Sequence, residues 1–89
     1  MAAEVLAKNS DILWRVIDEK VVLLDMDEGR AIMLNEVGSH IWTTLANQKT
    51  KDELVQDITL AFDIDEKTAR KDVYYFLDDM IKRDLIRVG

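Results

Sequence analysis

The stretch from Val21 to Trp42, VVLLDMDEGRAIMLNEVGSHIW, decides the fold, because a period-two apolar hairpin runs directly into a helix start with no linker. Val21-Val22-Leu23-Leu24 and Ala31-Ile32-Met33-Leu34 have the β-branched and aliphatic density of paired strands. Asp27-Glu28-Gly29 between them has turn chemistry, with Gly29 free to take positive φ. Asn35 can then cap a helix by accepting from free backbone N–H groups, and Val37, Ile41, Trp42 and Leu45 follow at helical spacing. The edge of a sheet is therefore expected beside the start of a helix.

Upstream, Ile12 to Ile17 reads as a first strand and Asp18-Glu19 as the tight turn into the second, so the opening half is a three-stranded antiparallel meander. Met1 to Ser10 has no partner segment of its own period and is expected to be a flexible tail, leaving residues 11–89 as one domain. Downstream, Gln48-Lys49-Thr50 breaks the pattern. Thr50 with Glu53 then forms a capping box for a second helix, Lys51 to about Phe62, with Leu54, Val55, Ile58 and Ala61 on its apolar face. A third helix is capped by the Asp65 carboxylate and runs to about Arg83, where Lys82 and Arg83 meet the negative end of the dipole. One stripe of it is Ala69, Val73, Phe76, Leu77 and Met80. Lys67, Arg70, Tyr74 and Ile81 border that stripe on a mixed face with no obvious core role.

With 89 residues and 48% hydrophobic content the chain can bury one modest core. Cysteine is absent, which excludes disulfides, thiolate metal sites and thiol nucleophiles. The first ten residues lack the pattern of a secretory signal, and no apolar run approaches the ~20 residues of a membrane span. A cytoplasmic protein with no membrane partner is expected. The net charge of −6 disfavours phosphate backbones, so nucleic acid is not expected as a partner either.

Nothing in the chain assembles a catalytic or metal site. His40 is the single histidine, with no second imidazole or thiol to complete a transition-metal set. Asp25 to Gly29 followed by Glu36 has the acids of a calcium loop, but its glycine comes one position early and a strand leads into it. Ser10 and Ser39 lack a glycine elbow. No catalytic residue, metal or cofactor is expected.

The chain resembles the PqqD-like family, the small proteins and domains called RiPP recognition elements, which serve in making ribosomally synthesised, post-translationally modified peptides. The resemblance covers nearly the whole chain. It rests on Val22-Leu23-Leu24-Asp25 before a turn with Gly29, on Leu34-Asn35-Glu36-Val37-Gly38 followed by Ile41-Trp42, on Thr50-x-x-Glu53-Leu54, and on Asp72-Val73 with Phe76-Leu77. One departure is Asp84 before Leu85-Ile86, where family members commonly have glycine. A less sharp end to the third helix is expected, since aspartate reaches the left-handed conformation less readily.

The resemblance implies an α+β, winged-helix-like fold, a three-stranded antiparallel sheet followed by three helices (β-β-β-α-α-α). It also implies non-catalytic binding of the leader segment of a precursor peptide, presented to a modifying enzyme such as a radical SAM protein or to a leader peptidase, in PQQ, lasso-peptide or related biosynthesis. The residues suit that role. The strand Arg30 to Leu34 is expected to be a sheet edge blunted by neither proline nor lysine, open to strand addition. Each ladder hydrogen bond nets only ~1 kcal/mol, while ordering each leader residue costs roughly 1–2 kcal/mol. Apolar pockets must therefore supply affinity and selectivity. The expected peptide-binding residues are Arg30, Ala31, Ile32, Met33 and Leu34 on the strand and Tyr74, Leu77 and Ile81 on the last helix, with Lys67 and Arg70 placed to meet acidic leader residues.

The alternative reading is a winged-helix DNA-binding regulator. Charge argues against it. Asp65 to Asp84 holds six acids (65, 66, 72, 78, 79, 84) and five bases (67, 70, 71, 82, 83), where a recognition helix should be basic.

Overall fold

The element order is β1 (Leu6–Lys8), β2 (Leu13–Ile17), β3 (Lys20–Asp25), β4 (Arg30–Met33), α1 (Glu36–Thr44), α2 (Lys51–Phe62), α3 (Glu66–Lys82) and β5 (Ile86–Val88). These come from a computed structural model that describes residues 4–26 and 28–89. The fold is α+β, with three helices and two antiparallel sheets, β2-β3-β4 and β1-β5. The expected meander is present. Its first turn, Asp18-Glu19, holds both residues at positive φ, 51° and 68°, the geometry whose twist suits a two-residue hairpin. Gly29 in the second turn has φ 66°; Asp27, expected in the same turn, lies outside the described residues.

In β3 the side chains alternate. Val21 and Leu23 are buried against the helices, and Trp14 of β2 and Ile32 of β4 pair across from Leu23 on that face. Trp14 meets the buried Trp42 of α1 edge to face, with ring centroids 6.2 Å apart. Leu54, Val55 and Ile58 of α2 and Ala69, Val73, Leu77 and Met80 of α3 complete the core. Ala61 is exposed, contrary to expectation; in the last turn of α2 Phe62 packs against the core instead.

All three expected helix caps are made. Asn35 Oδ1 accepts from the Gly38 N–H at 2.8 Å, Thr50 and Glu53 close a reciprocal capping box, and Asp65 accepts from the N–H and hydroxyl of Thr68.

Two expectations are corrected. Among the described residues there are five strands in two sheets, because Leu6–Lys8, read as tail, pairs antiparallel with Ile86–Val88. Leu6 is buried and its backbone also exchanges hydrogen bonds with Lys49, while Asn9 donates to the Asp84 carbonyl at 2.7 Å. Of the supposed tail, residues 1–3 lie outside the described residues. The end of α3 is also sharp. Asp84 takes φ 57°, the Leu85 N–H reaches the Met80 carbonyl at 2.9 Å, and the Asp84 N–H reaches that of Ile81 at 3.0 Å. That pair of bonds is the Schellman arrangement. The Asp84 carboxylate in turn receives the Arg87 guanidinium, whose hydrogen bond holds it below the usual carboxylate range. Among the described residues no helix is long and apolar enough to cross a membrane.

Candidate peptide-binding edge

β4 pairs with β3 on one side and, among the described residues, is the last strand of its sheet on the other. Its register sets what the open side offers. The Leu34 N–H donates to the Val21 carbonyl at 2.8 Å, and Ile32 faces Leu23, two residues along each strand. Since hydrogen-bonded pairs alternate along an antiparallel ladder, Arg30, Ile32 and Leu34 direct their main chain at β3, and Ala31 and Met33 direct theirs outward. Two N–H and two C=O groups thus line the free margin.

Ser39 fixes the far end of this strand. Its hydroxyl accepts from the buried Val21 N–H at 2.8 Å and lies 3.3 Å from the Leu34 carbonyl, to which it donates, tying β3, the exit of β4 and α1 together. Just beyond, α1 comes close to α3. A cavity of about 330 Å³ opens there, walled by Asn35, Val37 and Gly38 on one side and by Asp72, Phe76 and Asp79 among others on the other. Gly38 makes the approach possible, because a Cβ at that position would stand 2.7 Å from Phe76 Cε1. The wall is of mixed charge and partly apolar: Lys71 lines it with Asp72 and Asp79, Asp79 pairs with Arg83 at 3.2 Å, and Phe76 is half-buried against the core.

The expected strand residues fall on one element, but they divide by role. Leu34 is buried in the core, Ile32 is half-buried against it, and Ala31 and Met33 are exposed. Arg30 is exposed and paired with Glu28.

The helical residues are placed differently from expectation. Leu77 is fully buried, so it is a core residue and no pocket wall. Lys67, Arg70, Tyr74 and Ile81 form one stripe of α3, while Asp72, Phe76, Asp79 and Arg83 form another, nearly half a turn away. The second stripe is the one beside the segment that continues β4. The first faces α2: Tyr74 shares a shallow cavity with Glu4, Thr50, Lys51 and Asp52. Arg70 there donates to Glu66 at 2.8 Å, to Asp52 at 3.1 Å and to the Tyr74 hydroxyl at 3.2 Å, and these bonds, the Glu66 one foremost, raise its pKa further above its already high ordinary value. Its charge is already met within the chain. Helical period alone cannot tell which flank of a core stripe meets α2 and which meets the sheet.

Sequence reasoning missed the roles of Asn35, Gly38, Asp72 and Asp79 in this cavity. A signal existed in Gly38, since a glycine inside a helix costs about 1 kcal/mol relative to alanine and so marks a close approach.

The family described as Coenzyme PQQ synthesis protein D (PqqD) matches residues 20–86. No curated protein sequence matches the chain. Among solved structures, TbiB1 in complex with the TbiA(beta) leader peptide is similar with a TM-score of 0.80 and 30% identity, over 91% of this chain and 94% of that one. The solution NMR structure of the PqqD truncation of Methylobacterium extorquens PqqCD, a stand-alone RiPP recognition element, is similar with a TM-score of 0.75 over 93% of this chain and 88% of that one. At 16% identity that likeness concerns the fold alone.

Proposed function

The chain belongs to the PqqD family, and from that premise we propose that it binds the leader segment of a ribosomally synthesised precursor peptide and presents it to a modifying enzyme, without catalysis of its own. The leader adds as a strand to the outer margin of β4 through the main chain of Ala31 and Met33. Alternate leader side chains then turn toward Ile32 and the Phe76 flank of α3, and the cavity at Gly38 accepts one of them. The observation that carries this reading is the open margin of β4 running out beside that cavity. The likeness to TbiB1, itself seen with a leader peptide, supports it.

The modifying partner is of the radical SAM or leader-peptidase kind, as in PQQ or lasso-peptide assembly. A meander followed by three helices supports describing the domain as winged-helix-like. A DNA-binding role has no support, because α3 with its flanks carries more acids than bases.

The test is a titration of the isotope-labelled chain with the TbiA(beta) leader and with the leader of the precursor encoded beside it, followed by amide shifts. Shifts concentrated on β4 and on Asp72 to Asp79 are expected. Saturable binding that leaves β4 unmoved would sink the strand-addition mode.

A further inference from the structure

The meander has a second vacant margin, along β2. This strand pairs with β3 on one side and, among the described residues, is the first strand of its sheet on the other. The register that turns Val21 and Leu23 toward β4 turns Val22 and Leu24 toward β2, so Arg15 and Leu13 opposite them direct their main chain at β3. Trp14 and Val16 therefore direct their N–H and C=O groups outward, and no backbone group outside the sheet bonds to them among the described residues. Neither proline nor lysine blunts this strand.

A groove runs beside the margin. The side chains of Trp14 and Val16 share the face of the buried Val21 and Leu23, yet stay 39% and 54% exposed. Between Val16 and α1 opens a cavity of about 380 Å³, with His40, Thr43 and Phe62 among its walls. His40 and Phe62 meet edge to face, with ring centroids 5.7 Å apart, so an apolar side chain from an added strand would lie between Val16 and an aromatic pair.

Charge is sorted along the groove. At the hairpin end Asp18, Glu19 and Glu36 edge the cavity against Lys20 alone, and none of the four makes an ion pair among the described residues. At the other end Lys8 stands over the Trp14 ring, 4.3 Å from its centroid. The Arg15 side chain alternates to the opposite face of the sheet. A strand added antiparallel brings its N-terminal half to the hairpin end, where lysine or arginine is favoured, and its C-terminal half to Lys8, where they are not. A second copy of this chain fits poorly. Setting the outward Trp14 and Val16 against Val16 and Trp14 of the copy places Arg15 opposite Arg15 and brings Asp11 to Glu19, like charge against like.

We propose that the β2 margin is a second strand-addition site, which takes an extended segment of alternating apolar residues with lysine or arginine in its N-terminal half. It does not depend on the leader-binding reading. Strands lie about 5 Å apart, so with β3 between them β2 and β4 can hold two segments at once.

The probe is an acetylated, amidated eight-residue peptide of alternating valine and threonine with two lysines near its N-terminus, beside the same peptide with two glutamates there. Each is titrated into the isotope-labelled full chain. The lysine peptide is expected to shift the amides of Trp14, Val16 and His40 saturably and to bind at least fivefold more tightly than the glutamate peptide. Asp18→Asn with Glu19→Asn, where asparagine keeps the positive-φ turn, is expected to remove that preference. Val16→Pro, which takes away an N–H the fold does not use, is expected to abolish binding with the cooperative melt retained. Absence of saturable binding by the lysine peptide, equal affinity for the two peptides, or shifts confined to β4 each overturn the proposal. Dimerisation of the wild-type chain that Val16→Pro abolishes also overturns it, and gives the margin to a second copy.

Discussion

Gly38 of α1 and Phe76 of α3 approach so closely that a single added methyl at residue 38 would stand 2.7 Å from the ring. Gly38→Ala therefore sets two effects against each other. Helix propensity gains about 1 kcal/mol, and overpacking against a half-buried ring costs roughly 1–3 kcal/mol. The variant is expected to be no more stable than the wild type in urea unfolding, and to bind leader at least tenfold more weakly because the displaced ring fills the cavity. A gain of a full kcal/mol with unchanged affinity would show that Phe76 yields freely and that the cavity is not part of the site.

The two kinds of position on β4 separate binding from folding. Ala31 directs its N–H at the open margin, so Ala31→Pro removes a donor that the folded chain does not use internally, as edge strands tolerate. Ile32→Pro removes one directed at β3. The first is expected to keep a cooperative melt and lose most leader affinity; the second is expected to lose about 1–3 kcal/mol of stability, because its ladder hydrogen bond to β3 is gone. Calorimetric titration beside thermal melts checks both, and full leader affinity in Ala31→Pro would move the site off this margin.

Ser39 is a polar side chain that the core depends on. Ser39→Ala would leave the Val21 N–H, on a residue only 1% exposed, without its acceptor. Such an orphaned donor costs about 1–3 kcal/mol. Chemical denaturation should show a loss in that range, and Ser39→Thr, which keeps the hydroxyl, should recover part of it. A neutral Ser39→Ala would mean that water reaches Val21.

Acid sensitivity should arise at three turns and caps. Glu53 is held below its ordinary pKa by the Thr50 backbone N–H, Asp65 by the Thr68 hydroxyl, and Asp84 by the Arg87 guanidinium. A depressed folded pKa means that the unfolded chain takes up protons first as pH falls. The stability these groups contribute is thus complete above the ordinary carboxylate range, about pH 4 to 4.5, and is lost as pH drops through the folded values. The melting temperature should be level from pH 7 to about pH 5 and decline below about pH 4. Asp65→Asn, which keeps a capping acceptor but cannot ionise, should decline less steeply; an identical profile would remove Asp65 from the account.

Much of this protein was legible locally. The meander, the three helices and their caps at Asn35, Thr50 and Asp65 follow from period, turn chemistry and side-chain acceptors within a few residues of one another. The edge position of β4 was expected from the same hairpin, as the last strand of the meander before a helix start. The terminal sheet was not legible: Leu6–Lys8 and Ile86–Val88 are three residues each and lie at opposite ends of the chain, too short to carry a period. Asp84 shows the converse, since the side chain of Arg87 and the pairing of β5 hold a conformation that aspartate alone would not choose.

By itself, then, the sequence determined the meander, the three helices and their order, because these depend on neighbours in the chain and on which residues avoid water. Tertiary structure alone decided which flank of α3 stands beside the segment that follows β4. Periodicity fixes a helix's buried stripe but not the identity of what packs on either side of it, and here the packing of α2 claims Arg70 and Tyr74 and leaves Phe76, opposite Gly38, to form the wall of the cavity.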